Sequence, residues 1–349
     1  MSDVMTAVRE TATSRFGDRV RCTTPFGERP LLWIEPTDPV LKSDATEAAA
    51  WFAEHREAVE QALIEHGAIF LRGFPVRKTE DFGELLDGFD SFAPGYFAGT
   101  TDRKAVKGRV MEATRTADDF YILLHQEMAY LPTHPRVVAF YCHKPAPQGG
   151  ETIIGDMRGL LEELPDYVAE KLRAVGVRYA RNLRPDDPND WRADPKYRHL
   201  SWQYHLESDD KDEIGRRLTE RGANYEWHDD GSLSIYNDLP GVTTHPETGE
   251  EIFFNQIHIQ SQHRFVIGER ALEMDRAYGT KWARPYSTAY GDGERISDEH
   301  LAALMEALER RVIRFGWEAG DVMLVENKLT AHGRKPYSGD RDVQVMLLD

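Results

Sequence analysis

The stretch LLHQEMAYLPTHP, residues 123–135, sets an imidazole at His125 two positions before a carboxylate at Glu127, among apolar neighbours. In an extended segment residues i and i+2 share a face. The two side chains would then present a nitrogen and an oxygen to one point. With a second, distant histidine, such a pair makes the facial triad that holds non-haem Fe(II) and leaves coordination positions open. The same donor types also suit zinc. If the segment alternates as a strand, Tyr121 and Leu123 lie on the face of His125, and Gln126 points away from it. An H-x-E pair is common by chance, so its meaning depends on the rest of the chain.

The chain has 349 residues and a formal net charge of −17. That length suits one large domain or two small ones. The charge argues against a nucleic-acid or anionic-membrane partner, because a phosphate surface would repel it. The N-terminal MSDVMTAVRETATSRFGDRV has no apolar h-region, and no apolar run approaches the ~18 residues of a membrane span. Two cysteines, Cys22 and Cys142, stand far apart in no paired motif, which fits a reducing cytoplasm and no disulfide framework.

The elements that would carry the pair are short. Residues 44–67 have helical apolar spacing and end at Gly67; AIFLRGFP then reads as a buried strand, and TEDFGELLDGFDSF as a second helix. Residues 94–118 are Gly-rich and polar and read as a loop. RVVAFYCHKPAP is a strand, and MRGLLEELPDYVAEKLRAVG a helix interrupted by proline. Residues 181–225 are rich in Pro and Asp, with one helix after a candidate N-cap at Ser208. So long a polar connection reads as a lid or as a surface insertion. EEIFFNQIHIQ is a further strand, ISDEHLAALMEALERRV an amphipathic helix, and the tail two strands joined through GRKPYSGD. Many short strands with a few helices imply a mainly β protein, a jelly roll with helices packed outside.

Two further phrases accompany HQEMAYLPTHP: PAPQGGET, ending at Thr152, and GDVMLVENKLTAHGR, which contains His332, with FFNQIHIQ lying between them. Here the chain resembles the taurine dioxygenase and clavaminate synthase superfamily of Fe(II)/2-oxoglutarate oxygenases, from residue 67 to the C-terminus. It is most similar to the branch that contains the aspartyl hydroxylase of syringomycin assembly. The resemblance implies one oxygenase domain over residues 1–349 with a double-stranded β-helix core. It implies Fe(II) held by His125, Glu127 and His332, with 2-oxoglutarate as co-substrate and O2 as oxidant. Thr152 matches the family threonine whose hydroxyl binds 2-oxoglutarate.

The distal carboxylate of that co-substrate needs a cation, and the arginine fork fits it. Relatives carry a G-x-R-R phrase on the last strand. This chain has GDRDVQVM, with Asp342 in place of the second arginine, so Arg341 is the anchor that the resemblance leaves. On that register Val343 and Val345 turn inward, while Asp342 and Gln344 point away. Halogenating relatives lack the carboxylate ligand, so Glu127 argues for oxygenation. Tyr121, Leu123, Asn255, Gln256 and Arg334 are candidate substrate contacts; His258 reads as a core histidine.

The implied activity is hydroxylation of an unactivated C–H bond of a small amine or amino acid, free or tethered to a carrier protein, in specialised metabolism such as antibiotic biosynthesis. Desaturation or cyclisation by the same chemistry is the alternative outcome. A jelly-roll protein that merely retains a metal, and a zinc hydrolase, are the competing classes.

Overall fold

The computed structural model describes residues 13–27, 29–92, 105–113, 117–220, 223–279 and 283–349. Its frame is an eight-stranded sheet with the order Val20–Thr23, Leu32–Pro36, Ala68–Leu71, Val322–Glu326, Val137–Lys144, Asp342–Leu348, Val110–Glu112, Ala105–Lys107. The apolar run VVAFYC is explained by burial on both faces of this sheet. Val137, Ala139 and Tyr141 enter one core; Val138, Phe140 and Cys142 enter the other. The first core lies under the helices Ala45–Glu54, Arg56–His66 and Thr79–Leu85, and holds Trp51, Phe52, Leu63 and Phe82. Asp44 caps the first helix through the amides of Thr46 and Glu47. Gly67 ends the second with a left-handed φ of 82°.

The second core lies between this sheet and a four-stranded one, ordered Ile313–Phe315, Thr152–Asp156, Thr330–Arg334, Ile122–His125. Phe70, Phe140, Met323 and Val345 from the large sheet meet Ile154, Phe315 and Trp317 there. The two facing sheets form the double-stranded β-helix that the sequence implied. The outer face of the small sheet, with Leu124, Ile153 and Ala331, is covered by residues of the helices Asp166–Val175 and Asp298–Arg310, among them Leu172 and Leu304.

Several boundaries differ from the sequence reading. Residues 44–67 form two helices that break at His55. The second predicted helix stops at Leu85. The described part of 94–118 holds a strand pair, Ala105–Lys107 with Val110–Glu112, added to the edge of the large sheet. Pro165 does not interrupt a helix but precedes one, where its fixed φ is tolerated. The tail contributes three main strands rather than two, because Thr330–Arg334 crosses into the small sheet. Gln344 does turn away from the inner core, but it is buried and accepts a hydrogen bond from the Thr79 hydroxyl.

A separate four-stranded sheet, ordered Asn224–Trp227, Leu233–Leu239, Val177–Leu183, Tyr286–Tyr290, carries the polar segment 181–225. That segment holds two α-helices, Trp202–Leu206 and Lys211–Glu220, not one. Asp210, not Ser208, caps the longer helix, accepting from the amides of Asp212 and Glu213. Leu183, Trp202, Ile214, Leu218 and Leu233 form a small core of their own. No helix among the described residues is long and apolar enough to cross a membrane.

His199, in this segment, is 4% exposed; its Nδ1 lies 2.8 Å from the Tyr278 hydroxyl, and its Nε2 has no partner among the described residues. Burial pushes its pKa down to about 4, with Arg192 next in effect. The unfolded imidazole titrates near 6.5, so the unfolded chain binds the extra proton between those values. The stability present above pH ~6.5 should therefore fall as pH drops towards 4, by on the order of 3 kcal/mol from this residue. Denaturant midpoints measured across that window should show a shallower slope in His199→Asn; an unchanged slope would exclude His199 as its source.

Candidate metal centre

The strand Thr330–Arg334 pairs antiparallel with Ile122–His125 on one side and Thr152–Asp156 on the other. His332 stands opposite both His125 and Ile154, and Arg334 stands opposite Thr152. Directly opposed residues share a face, and His332 and Arg334 share one by period two. Ile154 belongs to the inner core, so His125, His332, Thr152 and Arg334 belong to the interior face of the jelly roll. The ring centroids of His125 and His332 are 4.5 Å apart, and Phe140 meets His332 edge-on at 5.0 Å.

Glu127 reaches the same point by another route. The strand ends at His125, and Glu127 lies in the turn that follows. Strand alternation therefore does not deliver the carboxylate, contrary to the sequence reading. Its backbone is paired instead with the side chain of Asn327, which accepts from the Glu127 amide at 2.7 Å and donates to the Glu127 carbonyl at 2.9 Å. Donor atoms of His125, Glu127 and His332 all lie within 4.8 Å of one another. Glu127 Oε2 and His332 Nε2 are 3.7 Å apart, beyond hydrogen-bond reach. The Leu123 carbonyl takes the His125 Nδ1 proton at 2.9 Å, which leaves Nε2 as the basic nitrogen.

This donor set fits a divalent ion. Two neutral imidazoles and one carboxylate leave it a net positive charge, and a buried carboxylate is costly without a cation. His332 Nδ1 is buried without a partner among the described residues.

Two arginines cluster around Tyr337, one of them Arg334 on the strand that bears His332. The guanidinium groups of Arg334 and Arg341 lie 4.8 and 5.5 Å from the Tyr337 ring centroid. Burial, then the charge of Arg334, lowers the Arg341 pKa to about 10. Arg341 Nε is buried with no hydrogen-bond partner among the described residues. A side chain at Gly150 would crowd that nitrogen at 3.3 Å. Two cations this close favour an anion between them. Thr152 is buried, and its hydroxyl accepts from the Trp317 indole N–H at 2.6 Å. The Thr152 proton is thus left to donate elsewhere. Two cations and a free hydroxyl donor of this kind suit a carboxylate-bearing ligand.

The other candidates are placed differently. A bulge shifts the pairing between His332 and Arg334, so that Arg334 faces Ile122. The shift breaks the alternation. Tyr121 consequently packs on the outer core and donates to Glu309 at 3.0 Å, instead of sharing the face of His125. Gly333 lies at the bulge, where a Cβ would meet the Ile122 carbonyl at 2.3 Å. Leu123 is buried beside His125 and contributes the carbonyl already described.

FNQIH is an irregular stretch that runs into a turn at Ile257, not part of a strand; the strand there is Glu251–Phe253. Its polar side chains are buried and hold backbone. Asn255 donates to the Gly241 carbonyl, Gln256 to the Gln126 carbonyl, and His258 to the Leu124 carbonyl. Burial pushes the His258 pKa down to about 4, which keeps it neutral. Gln126 does point away, donating to the Phe253 and Lys328 carbonyls. Sequence reasoning missed Asn327, Trp317, Phe140 and Gly333. None of them left a signal: Asn327 sits in the polar connection Glu326-Asn327-Lys328, which reads as an ordinary turn.

The family model described as taurine catabolism dioxygenase TauD, TfdA family matches residues 33–347. The dapdiamide synthesis protein DdaC of Enterobacter agglomerans is 29% identical over 329 residues, covering 93% of this chain and 94% of that protein. A clavaminate synthase-like protein of Arabidopsis thaliana is 27% identical over 294 residues, covering 83% of each. Among solved structures, PvcB of Pseudomonas aeruginosa superposes with a TM-score of 0.51 at 16% identity, covering 99% of this chain and 95% of that one; the likeness concerns the fold.

Arg334 also donates to the carbonyls of Ala117 and Phe120, at 2.6 and 2.9 Å. Arg334→Ala should release that turn, with amide exchange at residues 117–120 at least about fivefold faster, the equivalent of a ~1 kcal/mol bond. Unchanged exchange would show that the arginine does not tie the turn down.

Proposed function

We propose, for a chain that belongs to the TauD, TfdA family of dioxygenases, that His125, Glu127 and His332 hold the iron and that Arg341 and Thr152 hold 2-oxoglutarate. The protein is a non-haem Fe(II)/2-oxoglutarate oxygenase acting on a small molecule. Its reaction, on our reading, is hydroxylation of an unactivated C–H bond in a small amine or amino acid. The observation that carries this is the convergence of two imidazoles and one carboxylate beside Thr152, together with an Arg341 nitrogen that has no partner among the described residues.

The chemistry supplied by iron and 2-oxoglutarate, when bound, is oxidative attack on a nearby C–H bond. The chain's own residues do the rest. Arg341 pairs with the distal carboxylate and so orients the co-substrate. Trp317 fixes the Thr152 hydroxyl as a donor towards it. Phe140, Val343 and Trp317 make an apolar wall that excludes water from the centre. The presence of Glu127 supports oxygenation over halogenation.

The relative named for dapdiamide synthesis supports a place in specialised metabolism, antibiotic biosynthesis included. We read the chain as one oxygenase domain in which residues 181–225, with their own small core, are an insertion rather than a lid. A charge of −17 speaks against nucleic-acid and anionic-membrane partners. Two buried free cysteines fit a reducing cytoplasm.

Anaerobic loading with Fe(II), then 2-oxoglutarate, ascorbate and air against a panel of amino acids and amines, free or loaded on a carrier protein, tests the reading. Iron-dependent succinate release with a product heavier by one oxygen is expected. A product lighter by two hydrogens would replace hydroxylation with desaturation or cyclisation. Iron-independent or absent turnover across the panel would favour a binding protein.

For Arg341→Ala, the 2-oxoglutarate concentration giving half-maximal rate should rise at least about a hundredfold, the equivalent of losing a buried charge pair worth ~3 kcal/mol. The requirement for primary substrate should stay nearly constant. If Arg334→Ala shows that selective defect and Arg341→Ala does not, Arg334 is the anchor.

A further inference from the structure

Glu127 is held in place by something other than sheet pairing. The strand stops at His125, and Met128, directly after Glu127, adopts a φ of 58°, a region L side chains rarely occupy. A carboxylate between a strand end and a left-handed residue has no ladder to set its direction. The compensation comes from one buried side chain. Asn327, 0% exposed, receives the Glu127 amide on Oδ1 at 2.7 Å and returns Nδ2 protons to the carbonyls of Glu127 and Pro135, each at 2.9 Å. An amide side chain thereby reproduces the two-way exchange that a neighbouring strand would make with Glu127.

Asn327 is itself fixed. Its backbone amide donates to the Arg136 carbonyl at 2.9 Å. The connection it belongs to is held at Lys328 by Gln126 and at Leu329 by the Glu326 carboxylate, at 2.9 and 2.7 Å. The same connection leads into Thr330–Arg334, the strand that bears His332. The direction of one donor is thus referred to the segment that carries another.

We propose that Asn327 is the positioning residue for the Glu127 carboxylate: its paired hydrogen bonds to the Glu127 backbone aim that carboxylate before metal arrives, and so set the metal affinity of the centre without touching the ion. The proposal rests on the reading that Glu127 is a metal ligand. It differs from a structural role in that a structural residue would lower thermal stability and leave the affinity of the folded protein unchanged.

The test titrates the metal-free full-length protein with Mn(II), following free Mn(II) by electron paramagnetic resonance, with melting temperatures measured alongside. Asn327→Ala removes every bond. Asn327→Asp keeps the shape and the acceptor, but sets oxygen against the Glu127 and Pro135 carbonyls. Both should bind Mn(II) at least about tenfold more weakly while still folded, as loss of an outer partner of a ligand does. Glu127→Ala is the control and should bind at least as weakly. Wild-type affinity in the Asn327 variants, with loss in Glu127→Ala, overturns the proposal. Wild-type affinity in Glu127→Ala overturns the ligand reading beneath it.

Amide exchange of the unaltered protein decides the matter if the variants do not fold. The Glu127 amide should be protected before Mn(II) is added. Fast exchange that slows only on addition of Mn(II) would show that the metal, not Asn327, orders the residue.

Discussion

The placement of the two candidate donor histidines depends on the strand Thr330–Arg334 pairing antiparallel with Ile122–His125 on one side and Thr152–Asp156 on the other. This pairing sets His332 opposite His125, although 206 intervening positions separate them in the chain. It also puts Arg334 opposite Thr152, so that the two candidate donor histidines share one surface with Thr152 and Arg334. A slip of one residue would turn the whole set to the outer face, where Leu124, Ile153 and Ala331 now pack. Burial on both sides of the small sheet makes that slip expensive, because it would exchange histidine and arginine for leucine and isoleucine.

The large sheet contributes rigidity. Its central strands are covered on both faces, by helices on one side and by the small sheet on the other. Phe140 comes from one of these strands and touches His332, so the metal side of the small sheet is braced by a wall that has no solvent behind it. Such packing resists displacement, since interiors packed at crystal density move only as units.

Around this frame the segment 124–127, which carries two of the candidate donors, is wrapped in side-chain hydrogen bonds. His258, Gln256 and Asn327 each meet a backbone group of that segment, and the Gln126 side chain meets two backbone carbonyls outside it. Buried polar groups that are fully paired rigidify a site, while unpaired ones are costly. Among the described residues, His258 Nδ1, His332 Nδ1 and Arg341 Nε are buried without a partner, so the pairing around the site is not complete.

The sequence by itself determined the donor types, the jelly-roll class and the run of apolar strands. His125, Glu127, Thr152 and His332 stood out as candidates because they sit in ordered phrases, and the strand Val137–Lys144 was legible because two-sided burial leaves a continuous apolar run. Local periodicity could not show that the strand ends at His125, that Tyr121 is turned outward, or that FNQIH is not part of a strand. These depend on a bulge at Arg334 and on partners more than a hundred residues away, including the pairing of Asn327 with Glu127. Hydrogen bonds between distant segments form only after the chain has collapsed into register, so no window of sequence contains them. Period two correctly foresaw that Gln344 leaves the inner core, but whether it then met water or a helix was decided by the packing of Thr79–Leu85 over the sheet. The sequence specified which groups are available; tertiary contacts decided where each one points.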